Sequence, residues 1–431
     1  MTTVNITRRQ FLSVSSATVA LTALNFPMLV RGASKRVVIV GGGVAGATVA
    51  KYLRLMDASV DITLIEPKRV YTTCFLSNEV LWNHRAIESI QFSYEALKSR
   101  AIKVVHDVVV NIDPDSKQVT IKGGDKFKYD ACVVSPGISI NWGGIENYTA
   151  EASEKMPHAY QAGPQTLLLR DQIIAMKNGG TFILVAPQNP FRCPPGPYER
   201  ASQIAWYFKN HKPRSKIIIL DPKPTFSKKP LFTAAWEKYF GYKSSNSMIE
   251  WIGEADAGEV TRVDVKKMQA ITTSPYKGDV INVIPPQQAG KIAIETELVD
   301  ETGWCPVNHR TFESSLVKDI YIIGDATIAA PMPKSGYAAN SQAKVCAAAI
   351  IARFKGEPEP VPSLVNTCYS LVTPEHGISV AMVYKLGPKG KIQKVEGAGG
   401  LTPMDASDEM RKREVAYAYS WFRNITHDIF G

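Results

Sequence analysis

Val37-Val38-Ile39-Val40-Gly41-Gly42-Gly43-Val44-Ala45-Gly46 sets a short β-branched run directly before G-x-G-x-x-G at 41, 43 and 46. The run reads as a buried parallel strand, and Ala47–Leu55 reads as the helix that follows it. Gly41 permits the tight turn, Gly43 lets the backbone approach a pyrophosphate, and Gly46 lets the helix pack closely on the strand. The helix N-terminus offers free N–H groups and a positive dipole end to phosphates. Asp61–Ile65 reads as the second strand and ends at Glu66, whose carboxylate can accept hydrogen bonds from both ribose hydroxyls. Its spacing of 25 from Gly41 fits a dinucleotide fingerprint. A strand before the glycines, a helix after them and an acid at the next strand end make this more than a glycine-rich turn.

Two later segments narrow the dinucleotide. Tyr129–Ser135 is a strand followed by the turn Pro136-Gly137, and Asp319–Ile323 is an apolar strand followed by Gly324-Asp325. The latter resembles the second flavin fingerprint of the glutathione reductase superfamily. The resemblance implies that Asp325 holds the ribityl and phosphate part of FAD, with Gly137 and Gly324 beside the cofactor. It also implies the fold class: α/β, with two Rossmann-like dinucleotide-binding domains and a C-terminal α+β interface domain. The expected division is an FAD domain split between 34–148 and 285–362, a second Rossmann-like domain over 149–284, and the interface domain over 363–431. After Asp325, Pro331–Gly336 leads into a helix reaching about Phe354. In the superfamily such a helix points at the flavin pyrimidine, where Lys334 would add a fixed charge. A solvated surface lysine is the equal alternative.

The inserted domain departs from the superfamily. Gly179-Gly180 leads into the strand Thr181–Val185, but the turn Ala186–Pro197 has five prolines and one glycine. Each proline removes a backbone N–H, so the turn is poorly equipped to cradle pyrophosphate. A helix from Tyr198 to about Asn210 and the strand Lys216–Leu220 follow, ending at Asp221. The scaffold is kept and the nicotinamide site lost, so electrons come from a small substrate.

The 431 residues allow two to four domains, and 45% hydrophobic with 21% charged residues excludes wholesale disorder. The formal charge of +10 permits an anionic partner or substrate without naming one. No motif supports nucleic-acid binding. Residues 1–33 contain no acid; Arg8-Arg9 precede a weak apolar run from Val14 to Val30, with Gly32 and Ala33 after it. That order looks like a twin-arginine export signal, which predicts a periplasmic protein and takes Arg8, Arg9 and Arg31 from the mature charge. No other stretch reaches 18 apolar residues, so no stable membrane insertion is expected.

Six cysteines stand at 74, 132, 193, 305, 346 and 368. Without C-x-x-C no zinc ribbon or other metal site is encoded, and without C-x-x-C-H this chain carries no c-type haem. Cys132 and Cys346 read as inert core residues, and Cys305 sits at a loop with no clear role. Cys193 lies in the proline-fixed turn between a parallel strand and a helix. That is where α/β proteins place reactive groups, and the helix N-terminus would lower its thiol pKa. Six cysteines allow 15 full pairings, and sequence alone chooses none.

Nearly end to end, the chain after residue 33 resembles the flavoprotein subunit of flavocytochrome c sulfide dehydrogenases. The closest stretches are Tyr71–Val80, Pro190–Ala201, Trp304-Cys305-Pro306-Val307, Pro331–Tyr337 and Tyr417-Ala418-Tyr419-Ser420-Trp421. The resemblance implies that Cys74 binds FAD covalently through its 8α-methyl, and that Cys193 and Cys368 form a redox disulfide beside the flavin. Hydrosulfide would open that disulfide, and two electrons would pass to FAD and then singly to a separate c-type cytochrome subunit. Glu199, six residues past Cys193, would accept a proton if buried; a helix-dipole or surface carboxylate is the alternative. The nearest rivals are a sulfide:quinone oxidoreductase, with Arg411–Phe430 as its amphipathic membrane segment, and a pyridine-nucleotide disulfide reductase.

Overall fold

Strand β1 (Arg36–Val40) buries four of its five side chains and occupies the middle of a five-stranded parallel sheet. In the computed structural model residues 34–431 are described, and the expected export signal lies outside them. Helix α1 (Val44–Met56) follows the glycine turn, then β2 (Asp61–Ile65), β3 (Lys103–Val105) and β4 (Ala131–Val134). The chain then leaves this sheet for nearly 190 residues. In that interval β5 (Thr181–Val185), helix α2 (Gly196–His211), β6 (Lys216–Leu220), β7 (Ile249–Ile252) and β8 (Val280–Val283) build a second layered unit. Its sheet is parallel in the order β7–β6–β5–β8. The chain returns with β9 (Ile320–Ile322), which completes the first sheet in the order β9–β4–β1–β2–β3. Helix α3 (Gly336–Lys355) then packs along α1. The architecture is α/β with Rossmann-like parallel sheets.

The strands are near-continuous Val, Ile and Leu because both faces of each sheet are covered: β1, β2 and β5 each bury four of five residues. Val37, Ile39, Val49, Leu53 and Ile322 are all fully buried. Burying each such side chain contributes about 1.5–3 kcal/mol, which sets the order of the core's stability. Helix α1 starts at Val44, three residues before the expected Ala47, because the extended Gly43 backbone already caps it. Gly46 therefore lies inside the helix. A Cβ there would sit 1.8 Å from the Gly41 carbonyl oxygen. Gly46→Ala is expected to destabilise the fold by about 1–3 kcal/mol and to weaken dinucleotide binding. Urea unfolding and cofactor titration measure the two effects.

The C-terminal stretch forms the antiparallel strands β10 (Ser363–Thr373), β11 (His376–Leu386) and β12 (Ile392–Leu401), then helix α4 (Asp408–Phe430). Ser407 caps α4 by accepting from the Met410 N–H, and Asp408 and Glu409 complement the dipole. Val415, Ala418, Phe422, Ile425 and Ile429 recur at helical spacing and are all buried. This stretch was the candidate for a membrane-surface segment, but its apolar face packs against β11, β10 and α1 instead. Among the described residues no helix is long and apolar enough to cross a membrane.

Candidate functional site

Two cavities meet inside the molecule. The larger is lined by Gly41, Gly43, Glu66, Gly137, Gly324 and Asp325, all expected cofactor positions. The smaller contains Cys193, Cys368 and Glu199. Cys74, Ala162, Arg192 and Gly336 line both, so they mark the junction.

The larger cavity fits an extended dinucleotide. Gly41 holds φ at +95° and its N–H donates to the Ile65 carbonyl, turning the chain back over the sheet. Glu66 fixes the loop by accepting from the Gly42 N–H at 2.8 Å and the Lys68 N–H at 3.0 Å. Asp325 is the sharpest indication of a ligand. Its Oδ1 is buried without a hydrogen-bond partner, and burial raises its carboxyl pKa, with Arg192 and Lys334 opposing. A buried unpaired carboxylate oxygen is costly unless a donor from outside the chain meets it. A ribityl hydroxyl is such a donor, so the residues present fit FAD.

Lys334 takes neither of its expected places. Its ammonium donates to the carbonyls of Asp325 and Thr327 at 2.8 and 2.9 Å and lies 3.6 Å from the Trp304 ring centroid. Burial lowers its pKa to about 8. It lines neither large cavity, so it braces the Asp325 loop from behind. Cys305 is not in a loop: it pairs with Thr327 in a two-residue parallel bridge of strands and is fully buried.

Cys74 sits in a tight bend. Leu76 has φ +58°, and the Ser77 hydroxyl donates to the Cys74 carbonyl at 2.8 Å. The thiol is left facing the junction, and burial raises its pKa. Cys193 is held as firmly. Its φ is +56°, its N–H donates to the Lys334 carbonyl, and Tyr160 Oη donates to the carbonyls of Arg192 and Cys193 at 2.7 and 2.9 Å. Arg200, one turn into α2, ties the start of that helix to three other stretches of chain. It donates to Asn78 Oδ1, Asn282 Oδ1 and the carbonyls of His158 and Ala159.

The expected lowering of the Cys193 thiol is not found. Burial pushes it well above the ordinary value, and Cys368, Cys74 and Glu199 add to the rise; only Arg192 opposes. Burial of the sulfur is the largest cause and outweighs any lowering by the α2 N-terminus. All six cysteines are free thiols in this structure. Cys368 shares the cavity with Cys193 from strand β10. Glu199 is withdrawn from bulk solvent. Burial lifts its pKa to about 7, partly countered by the Leu371 N–H, which donates to Oε1 at 3.0 Å, and by the Lys228 ammonium. A carboxyl titrating there can exchange protons near neutrality.

The sequence reading assigned no role to Arg192, which lies between the cofactor cavity and the thiols with its guanidinium 5.7 Å from the Tyr160 ring centroid. Adjacency to Cys193 was its only signal. In the second sheet the end of β6 is the place where Rossmann folds bind a nucleotide ribose. Asp221 there is fully buried and already engaged: Tyr198 Oη donates at 2.6 Å, Trp251 Nε1 at 2.9 Å, and Lys223 pairs with it at 2.6 Å. Phe226 stacks on Tyr198 with centroids 3.7 Å apart. The chain's own side chains fill the place. No cluster of three or more His, Cys, Asp or Glu suited to a metal occurs among the described residues.

Three family models match the chain. Residues 166–285 match "Sulfide dehydrogenase [flavocytochrome c] flavoprotein chain, central". Residues 360–430 match "Flavocytochrome c sulphide dehydrogenase, flavin-binding", and residues 35–162 match "Pyridine nucleotide-disulphide oxidoreductase". The chain is 57% identical over 47 residues to the sulfide dehydrogenase flavoprotein chain of Chlorobaculum thiosulfatiphilum, covering 11% of this chain and 98% of that sequence. It is 20% identical over 319 residues to the mouse mitochondrial sulfide:quinone oxidoreductase, covering 68% of this chain and 65% of that protein. Among solved structures, the sulfide:quinone oxidoreductase of Aquifex aeolicus superposes with TM-score 0.68 at 17% identity over 92% of each chain. The putidaredoxin reductase–putidaredoxin complex gives 0.62 at 16% identity, over 89% of this chain and 94% of that one. At these identities the structural likenesses establish the fold.

Proposed function

Because the chain belongs to the flavocytochrome c sulfide dehydrogenase flavoprotein family, a family of FAD-binding, sulfide-oxidising flavoproteins, we propose that it oxidises sulfide through a Cys193–Cys368 redox disulfide, with FAD tethered to Cys74. The observation that carries this reading is the convergence of Cys74, Cys193, Cys368 and Glu199 on one cavity that opens onto the dinucleotide cleft. FAD, when bound, supplies a two-electron acceptor that can pass electrons on singly.

The chain's own residues account for the rest. Hydrosulfide attacks the disulfide, giving a persulfide on one cysteine and a thiolate on the other. A second hydrosulfide takes the outer sulfur away as hydrodisulfide and leaves a thiol. Re-forming the disulfide from that thiol and thiolate releases two electrons and one proton. Glu199, which lines the same cavity, would take that proton. The rate of sulfide-driven flavin reduction is therefore expected to rise as pH increases through about 7 and the Glu199 carboxyl ionises. Hydrogen sulfide ionises in the same range, so the readout is the wild type against Glu199→Gln at matched pH. The variant should lose about 100-fold and show only the ionisation of the substrate. Equal profiles remove Glu199 from the mechanism.

The decisive experiment is anaerobic addition of sulfide to the purified flavoprotein while the flavin absorbance is followed. Bleaching supports the reading, and a flavin that stays oxidised overturns it. NADH, offered in place of sulfide, is expected to leave the flavin oxidised, because Tyr198, Trp251 and Lys223 occupy Asp221. Rapid bleaching by NADH would restore the disulfide-reductase alternative.

The reading extends to a c-type cytochrome subunit as the electron acceptor and to twin-arginine export into the periplasm. The family description names a flavocytochrome c, which supports the first. The Arg8-Arg9 signal supports the second. Quinone as acceptor is disfavoured by the buried apolar face of α4, which leaves no ready membrane-surface helix at that end.

A further inference from the structure

Lys228 stands next to the helix Lys229–Phe240, far in sequence from every cysteine. Its side chain is only 6% exposed. Among the described residues it makes no ion pair; its Nζ donates to Ser370 Oγ at 2.9 Å. A buried ammonium outside any close ion pair is costly unless its charge has a use, and the groups its charge acts on are the Glu199 carboxyl and the Cys368 thiol. Ser370 is fully buried and lies two residues after Cys368 on β10, so the two side chains share one face of the strand. A hydroxyl that accepts from an ammonium still has its own proton to donate. Cys368 is the neighbour two positions back on that face.

The two cysteines therefore sit in unequal surroundings. Burial raises the Cys368 thiol, but the Lys228 ammonium and a hydrogen bond with Ser370 oppose the rise, against Glu199. Burial raises Cys193 further, with Cys368, Cys74 and Glu199 all adding to it. In thiol–disulfide exchange the sulfur better stabilised as a thiolate leaves faster.

We propose that Lys228, acting through Ser370, makes Cys368 the leaving thiolate when hydrosulfide opens the disulfide, so that Cys193 carries the first sulfane sulfur. The proposal rests on the redox-disulfide reading above. The hydrosulfide sulfur bonds to Cys193 Sγ, the Cys193–Cys368 bond breaks, and Cys368 keeps the electron pair. The sulfide sulfur is oxidised to the sulfane level, the disulfide is reduced, and the proton stays on the persulfide. Lys228 and Ser370 are positioning residues: they touch the leaving sulfur's environment and not the substrate.

The test has two arms on the full flavin-bound protein. In the first, one equivalent of sulfide is added anaerobically to the wild type, an alkylating agent is added at once, and peptides are mapped by mass spectrometry. The expected adduct keeps an extra sulfur on Cys193 and none on Cys368; the extra sulfur on Cys368 overturns the proposal. The second arm needs no turnover. In chemically reduced protein at neutral pH, iodoacetamide is expected to label Cys368 about tenfold more slowly in Lys228→Met than in wild type, the effect of one unit of thiol pKa. Lys228→Arg should recover most of the rate, and Ser370→Ala should also slow it. Unchanged labelling in both Lys228→Met and Ser370→Ala overturns the proposal, even if one variant folds poorly. If the wild type acquires no extra sulfur on any cysteine, the sulfide reading fails, and the labelling series alone then decides the coupling of Lys228 to Cys368.

Discussion

Cys193→Ser is expected to abolish reduction of the flavin by sulfide while leaving the oxidised flavin spectrum intact. Serine is nearly isosteric, and the segment is held by its backbone: the N–H to Lys334, and the carbonyls of Arg192 and Cys193 to Tyr160. Those bonds survive the substitution, so the cavity keeps its shape. What is lost is the sulfur that forms half of the disulfide. A hydroxyl neither forms that bond nor accepts a sulfane sulfur, and the reduction rate should fall by at least about a thousandfold. Stopped-flow absorbance after anaerobic mixing measures it. A rate within tenfold of the wild type would end the disulfide mechanism and leave direct attack on the cofactor.

The second large effect concerns Cys74. In the wild type the flavin should remain with the polypeptide after acid precipitation, and in Cys74→Ser it should appear wholly in the supernatant. Cys74 lies at the junction of the two cavities, and its bend is locked by Ser77 and by the positive φ of Leu76. The thiol therefore borders the cleft where a flavin ring must pass from the Rossmann turn to the cysteine pair. The serine variant should still bind flavin under native conditions, because the glycine turn, Glu66 and Asp325 remain. Wild-type flavin that washes out with acid would show that the tether does not exist, while the noncovalent site stands untouched.

Much of this was legible in sequence because each clue was local. The β-branched run, the glycine spacing and the acid at position 66 fall within one βαβ unit. The strands Asp61–Ile65, Thr181–Val185 and Lys216–Leu220 match residue for residue. Local clues fail where a side chain's direction depends on a distant partner. Lys334 was expected to face either the flavin or the solvent; Trp304, thirty residues earlier, receives it instead. The electrostatics of Cys193 misled for the same reason. A helix start is visible in sequence, but the burial of the sulfur is not, nor are the two thiols and the carboxyl brought in from residues 368, 74 and 199. Lys228 carried no signal, since Ser227-Lys228-Lys229-Pro230 reads as an ordinary charged helix entry. Only the fold brings it to Ser370.

The position of β9 in the first sheet has a bearing on how the protein is made. That strand, Ile320–Ile322, pairs with β4 almost 190 residues upstream. A ribosome must therefore deliver three-quarters of the chain before the sheet gains its last member, and Asp325 follows only then. Contacts this remote in sequence form slowly, and the exposed edge of β4 is an aggregation hazard in the meantime. Nascent chains that stop short of residue 320 should show no flavin capture, whatever the condition of their glycine turn. Cofactor loading thus becomes a late checkpoint on synthesis, and a transport route that accepts only finished cargo would suit such a timetable.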